Sequence, residues 1–428
     1  MATTMAARFR RLSTAAARQS VTSAWVAWTS STMEELARRR LLRDLRAVVP
    51  IGGSSSRVSS PHGELLVFAA NDYLGLSAHT GVRAAASAAA AEHGSGPRSS
   101  ALVCGYTDAH RGLELGLARL KACEEALLFP TGFAANMAVV GTLADGPDCA
   151  IFSDALNHAS IVDGARLAAR GAGASLHIYR HNDLDHLETL LAASSAPRKL
   201  VISDSLFSMD GDLADCRGLA TLRDRYGALL CLDEAHATLV YGAHGGGVAE
   251  AQGVADRVDV HVGTLSKAFG SHGGFVGCSA PLKSLLLSRG RAGIYSTALP
   301  LPAVAAAHAA LELATPQLRG KLWANVAAFA EACPHGATID DQAPAGQSHP
   351  SPIIPIVIGS EEAALDAAER LLEQGFLVPA IRPPTVPAAG TCASRSPPPC
   401  PPHTPSKKCV RLRKFCEVIR IFCGCLSL

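Results

Sequence analysis

The stretch Gly263 to Gly274, GTLSKAFGSHGG, decides how this chain is read. Val258, Val260 and Val262 precede it at alternate positions and deliver a lysine, Lys267, into a cluster of glycines and small hydroxyl residues. Such a run reads as a buried strand that ends here, and lysine is rarely buried without a partner. Desolvation lowers an amine pKa from about 10.4 toward the range where the free amine is a nucleophile, which is the setting of Schiff-base chemistry. Thr264 and Ser266 add hydroxyls suited to holding a phosphate. Gly270, Gly273 and Gly274 let the backbone turn and approach a ligand closely. On these residues alone, a solvated lysine in a glycine-rich βα loop fits equally well.

Upstream, ALLCLD (Ala228 to Asp233) is a second apolar run, and it opens into DEAHATLVYG. Asp233 then falls at the C-terminal end of a buried strand, where open α/β sheets bind ligands. A carboxylate in that place needs a cationic partner, and the protonated ring nitrogen of pyridoxal 5'-phosphate is one. With an Asp ending one strand and a Lys just beyond a later one, the chain resembles the α-oxoamine synthases from about Asn71 to Thr391. These are fold-type-I pyridoxal-phosphate enzymes that join an amino acid to an acyl thioester and release carbon dioxide.

The resemblance implies an α/β fold. A large domain carries a mostly parallel seven-stranded sheet, and a small α+β domain is built from the C-terminal part. It also assigns roles. Lys267 is the Schiff-base lysine and removes the substrate α-proton, Asp233 pairs with the ring nitrogen, and His236 hydrogen-bonds the phenolate oxygen. His158, in ALNHASIVDG just after the run CAIFSD, stacks on the ring, and Ser208 in LVISDSLFSMDGD lies near the phenolate oxygen. ALLFPTGFAANMAVV, from Ala126, reads as a strand, a turn and a helix whose first amides belong to Gly132 and Phe133. Helix N-termini bind phosphate, and in this family the motif holds the cofactor phosphate beside Thr264. Thr297 in YSTALP reaches the partner's cofactor phosphate, so a homodimer is implied. Asn71 in NDYLGLS lies near the substrate carboxylate, although an Asn there is equally a turn residue.

The string IRPPTVP, within Gly375 to Pro387, resembles the biotin-synthesis branch of the family more than the aminolevulinate, aminoketobutyrate or sphingolipid branches. The implied substrates are L-alanine and a pimeloyl thioester, carried on coenzyme A or an acyl carrier protein. GSGPRSSALVCGY, from Gly94, resembles the plant type, and Asp108 is the expected cap of the helix that follows it. His110 and Glu114, one turn apart, read as a surface pair, Glu234 as structural, and Gly245 to Gly247 as a hinge. A sister synthase using glycine and an inactive partner subunit remain alternatives. A dinucleotide oxidoreductase is disfavoured because no GxGxxG opens a helix after the first strand.

The 428 residues are 48% apolar with net charge +2, enough for a large core and two domains. That balance gives no basic stripe for nucleic acid, and no apolar run approaches the roughly 18 residues of a membrane span. Of thirteen cysteines, six fall in the last 37 residues, while the scattered ones read as core residues without metal-ligand spacing. The expected organisation is a transit-type extension over 1–32, with Arg8, Arg10, Arg11 and Arg18 and no acid before Glu34, pointing to mitochondrion or cytosol. An N-terminal arm (33–66), helical from Met33 through Leu45, comes next. The large domain (67–305), the small domain (306–391, with SPIIPIVIGS as a strand and Glu361 to Gln374 as a helix) and a divergent Pro/Cys-rich tail (392–428) complete it. In that tail the family's RLR strand is replaced by CASRSPPPCPPHTPSKKC, with an RLR triplet recurring only at Arg411 to Arg413. The expectation is that a chain with such an end binds cofactor yet makes product poorly, because the family's substrate-carboxylate arginine belongs to the RLR strand that should follow Thr391.

Overall fold

The computed structural model describes residues 23–39, 41–332, 351–356 and 360–381. Two compact units divide the chain at Val48. Among the described residues of the first, a helix spans Ser23–Arg38 with none of its residues buried, and Trp25 and Trp28 meet edge to face. The helix expected from Met33 therefore begins ten residues earlier, and residues 41–48 form neither helix nor strand. Leu41, Leu42 and Leu45 carry the right spacing, but Leu45 is left 98% exposed, and a short segment that does not bury its apolar face is marginal as a helix in water.

In the second unit a seven-stranded sheet has the order β4-β10-β9-β8-β7-β5-β6. Its strands are β4 (Glu125–Phe129), β5 (Cys149–Asp154), β6 (Ser175–Tyr179), β7 (Arg198–Asp204), β8 (Leu229–Asp233), β9 (Val260–Thr264) and β10 (Gly274–Cys278). β10 runs antiparallel to both neighbours, and the remaining pairs are parallel. Every residue of β5, β9 and β10 is buried, as expected where helices cover both faces of a parallel sheet and strands read as continuous apolar runs. The expected mostly parallel sheet is thus the observed one. Because β5, β7, β8 and β9 are parallel, Asp154, Asp204, Asp233 and Thr264 all end at one edge.

A second sheet has the order β1-β2-β3-β11, formed by Val49–Pro50, Arg57–Ser60, Gly63–Val67 and Phe376–Leu377. Its parallel pair joins Phe376 to Leu66, and Val58, Leu65 and Leu372 form a small core beside it. Residues from both ends of the chain therefore build it. The Glu361–Glu373 helix is where the sequence places it, capped by Ser360. Residues 351–356 form no strand, and Pro352 and Pro355 account for this, since neither has an N–H to give a ladder. IRPPTVP beyond Ile381, the tail 392–428 and residues 1–22 lie outside the described residues.

Three local expectations are corrected. Thr107, not Asp108, is the N-cap of the Asp108–Leu120 helix. His110 and Glu114 are buried, not superficial: His110 bridges Thr107 Oγ1 and the Leu299 carbonyl, and Glu114 accepts from Leu128 N–H, Tyr106 and Lys283. The Gly245–Gly247 loop is pinned, since the Gly246 carbonyl accepts from the buried Lys121 ammonium at 2.5 Å.

Candidate active site

Lys267 follows β9 in a loop that folds tightly back on itself. Leu265 N–H donates to Gly273 O, Gly270 N–H to Lys267 O, and Ser271 N–H to Leu265 O, each at 2.9 Å. Thr264 Oγ1 donates to Gly273 O and meets Ser266 Oγ at 2.8 Å, so both hydroxyls are turned into the loop. Gly270 has φ of +63°, and a Cβ there would lie 2.1 Å from Ser77 N. Only glycine therefore lets NDYLGLS pack directly on the lysine loop. Burial lowers the Lys267 pKa, and Asp233 and then Asp204 pull it back upward.

Asp233 ends β8 and is 5% exposed. Its Oδ1 accepts from Ala235 N–H at 2.8 Å and its Oδ2 from Asn136 Nδ2 at 2.6 Å. Among the described residues it has no ion-pair partner. A buried carboxylate held by two neutral donors keeps most of its charge uncompensated. Asp204 lies opposite it in the β7–β8 register. Burial and then the Asp233 carboxylate raise the Asp204 pKa well above the usual range, and Asp204 Oδ2 accepts from His158 N–H at 2.7 Å.

His158 caps the Ala159–Gly171 helix, and its Nδ1 accepts from Ser160 N–H at 3.2 Å. An acceptor at Nδ1 places the ring proton on Nε2. Its pKa is lowered, by burial first, with Asp233 opposing and Lys267 adding to the effect. Phe133 meets the imidazole edge to face, with centroids 6.5 Å apart. His236 is pushed well below the ordinary histidine range by burial, Lys267 and His158 in that order. Its Nδ1 lies 2.6 Å from Tyr73 Oη. Burial and then Tyr241 hold the Tyr73 phenol far above its usual pKa, so it stays protonated.

The Gly132–Leu143 helix begins beside this group. Its cap Thr131 takes the Ala134 amide, and Ala135 N–H goes to Thr131 O. Gly132 and Phe133 have no intrahelical partner for their amides. A Cβ on Gly132 would be 3.2 Å from Thr264 Cβ, so the helix end and the lysine strand meet there.

Seven of the expected residues thus gather at one sheet edge: Gly132, Phe133, His158, Asp233, His236, Thr264 and Lys267. The other three do not join this network. Ser208 and Asn71 have no side-chain hydrogen-bond partner among the described residues, and Thr297, exposed, pairs with Ser100 in an isolated bridge. Four members were missed. Tyr73 lies inside NDYLGLS and Asn136 inside GFAAN, one turn beyond Gly132 on the same helix. Asp204 carries the same strand-end signal as Asp233, and Ser160 is two residues from His158. A further cluster was missed because its parts are distant in sequence: His181 Nδ1 meets Asp154 at 2.9 Å and its Nε2 meets Asp212 at 2.8 Å. Burial opposes that charge, but the two carboxylates prevail and raise the His181 pKa to about 10.

A mostly parallel sheet with a depressed lysine, an unpaired Asp and two neutral imidazoles at its strand ends defines an enzyme of the carbonyl-amine type. The chain belongs to the aminotransferase class I and II family, whose model matches residues 63–395. It is 49% identical over 339 residues to the 8-amino-7-oxononanoate synthase of Arabidopsis thaliana, covering 76% of this chain and 69% of that one. The synthase of Anaeromyxobacter dehalogenans is 48% identical over 364 residues, covering 84% and 88%. Among solved structures, the serine palmitoyltransferase of Sphingomonas wittichii matches at 27% identity and TM-score 0.76, covering 94% and 99%. A serine palmitoyltransferase with a pyridoxal-phosphate internal aldimine matches at 26% and 0.76. The 8-amino-7-oxononanoate synthase of Francisella tularensis matches at 25% and 0.63, covering 85% and 98%.

Proposed function

We propose that this chain condenses L-alanine with a pimeloyl thioester, releasing carbon dioxide and the thiol carrier and giving 8-amino-7-oxononanoate, a step of biotin synthesis. Shape alone favours the sphingolipid enzymes slightly, but backbone similarity does not read substrate, whereas identity near 49% over most of the chain goes with the oxononanoate synthases. The carrying observation is Lys267 beside Asp233 at adjacent strand ends in a chain of that identity.

The site fits pyridoxal 5'-phosphate: the buried Asp233 carboxylate has room in its bonding for a cationic ring nitrogen, and Ser205 Oγ is buried without a partner. When bound, that cofactor supplies a carbonyl for the lysine and an electron sink for the substrate carbanion. Gly132 and Phe133 offer amides to its phosphate beside Thr264, and His158 lends a neutral ring face. Lys267, lowered by burial, holds a free amine that takes the proton from the alanine Cα. His236, held through Nδ1 by Tyr73 Oη, is assigned to the phenolate oxygen by family likeness. Ser208 and Asn71 are assigned to the phenolate oxygen and the substrate carboxylate by family likeness.

A homodimer places Thr297 on the partner's cofactor phosphate. Exposed Leu102, Val103, Tyr106 and Tyr295 flank the Ser100–Thr297 bridge and support an apolar interface there. Residues 1–32 are assigned as a targeting extension, for which a fluorescent fusion of that segment is the check.

The test is to incubate purified protein and cofactor with L-alanine, glycine or L-serine and pimeloyl-CoA, following product by mass spectrometry. Alanine is expected to give 8-amino-7-oxononanoate. A product from glycine or serine only would transfer the chain to a sister activity. Borohydride reduction and peptide mapping are expected to place the cofactor on Lys267.

A further inference from the structure

His158, Ser160, Asn136 and Asp233 form one continuous run of side-chain bonds across two helices and a strand. Asn136 Nδ2 lies 2.6 Å from Asp233 Oδ2 and 2.9 Å from Ser160 Oγ, and Ser160 Oγ lies 2.7 Å from His158 Nδ1. We infer that Asn136 is a positioning residue: it ties the Asp233 carboxylate to the His158 imidazole and fixes how the two face a bound ring. The inference rests on the cofactor reading above.

The direction of every bond in the run is determined. Asp233 Oδ2 is an acceptor, so the amide must present Nδ2 to it, and the reverse orientation would set oxygen against oxygen. The second Nδ2 proton then goes to Ser160 Oγ. His158 Nδ1 accepts Ser160 N–H and so carries no proton, and the Ser160 hydroxyl therefore gives its own proton to it. His158 is thereby fixed as the Nε2–H tautomer. Asn136 is 1% exposed and its Oδ1 is buried without a donor. Its amide is thus oriented through Nδ2 alone, which is the pattern of a group that serves its two acceptors. The two helices and the strand meet here, and among the described residues no other chain of side-chain hydrogen bonds joins Asp233 to His158.

The charged and titratable groups facing His158 are Asp233, Lys267, Asp163 and Asp204, with His236 across the site. Asp233 and Asp163 favour its protonation, Lys267 and burial oppose it, and the Ser160 backbone N–H adds to the opposition because it bonds only the unprotonated nitrogen.

The experiment is a double-mutant cycle on the full chain, reading the dissociation constant of pyridoxal phosphate by absorbance titration. Asn136→Ala is expected to weaken binding about tenfold, the loss of one bond to a charged group. In an Asp233→Asn background the same substitution is expected to change affinity by no more than about twofold, because the charge it serves is gone. Equal losses in both backgrounds would mean that Asn136 merely supports its helix, and would overturn the inference. Ser160→Ala leaves the Asn136–Asp233 bond in place and supplies a second arm. It cuts the run between Asn136 and His158, so it is expected to weaken pyridoxal phosphate binding about threefold and to make Asn136→Ala cost less in the same chain than in the unaltered one. Losses from Ser160→Ala and Asn136→Ala that simply add also overturn the inference. Failure of the unaltered chain to take up any cofactor would instead remove the reading beneath it, and the inference with it.

Discussion

Tyr73 Oη and His236 Nδ1 lie 2.6 Å apart although 163 positions separate them in the chain. The contact joins NDYLGLS to DEAHA, the two motifs that the sequence suggests on separate grounds, and holds a buried imidazole in place. Tyr73→Phe removes the donor while keeping the ring. The expected result is a fall of about five- to tenfold in kcat, corresponding to roughly 1 kcal/mol for one hydrogen bond. KM for alanine should change little. Steady-state kinetics on the two proteins decide it, and an unchanged kcat would separate His236 from the reaction.

Asp233→Asn should retain cofactor and lose most turnover. The amide keeps the size of the side chain, but a neutral group cannot stabilise a protonated ring nitrogen, and the cost should be on the order of several kcal/mol in the barrier. Absorbance shows retention and product formation shows the loss. Activity within about threefold of the unaltered chain would remove Asp233 from the ring.

The sheet and its strand-end residues were legible because parallel strands are buried on both faces. Cys149–Asp154, Leu229–Asp233 and Val260–Thr264 each read as an apolar run closed by a polar residue. What could not be read was lateral contact. Nothing in the spacing of His110 and Glu114 says that Leu299 and Lys283 will cover them. Nothing near Phe376 announces Leu66 as its strand partner. Asn136 carries no signal of its own in an apolar helix because its partners, Asp233 and Ser160, arrive from two other elements.

His181 should make stability depend on pH. Its folded pKa, about 10, is raised above an unfolded value near 6.5, so the stabilisation is complete below about 6.5 and is lost as pH rises through about 10. Asp212 is 40% exposed, so solvent screening reduces the effect, and on the order of 2 kcal/mol is expected at neutral pH. The melting temperature of the unaltered protein should exceed that of His181→Asn most near pH 6, and the gap should close by about pH 10.5. A gap that stays constant across this range would show that His181 packs without carrying charge.

Lys121 and Glu234 form an ion pair at 2.8 Å with both side chains fully buried. Thr238 Oγ1 and the Gly246 carbonyl take the other ammonium protons, while His261 Nδ1 meets Glu234 Oε2 at 3.0 Å. Burial works against the Glu234 charge, yet Lys121 and His261 outweigh it and lower the pKa to about 2. Replacing one partner strands the other as a buried charge, which typically costs about 3–5 kcal/mol. Lys121→Met should therefore destabilise the chain by that order in urea unfolding. Adding Glu234→Gln to Lys121→Met should recover part of the loss, since the double variant leaves no bare charge. Because Glu234 directly follows Asp233 and its Oε1 accepts from Ala249 N–H, the single variant should also bind pyridoxal phosphate more weakly. Losses in the single and double variants that simply add would show that the pair contributes by shape rather than by charge.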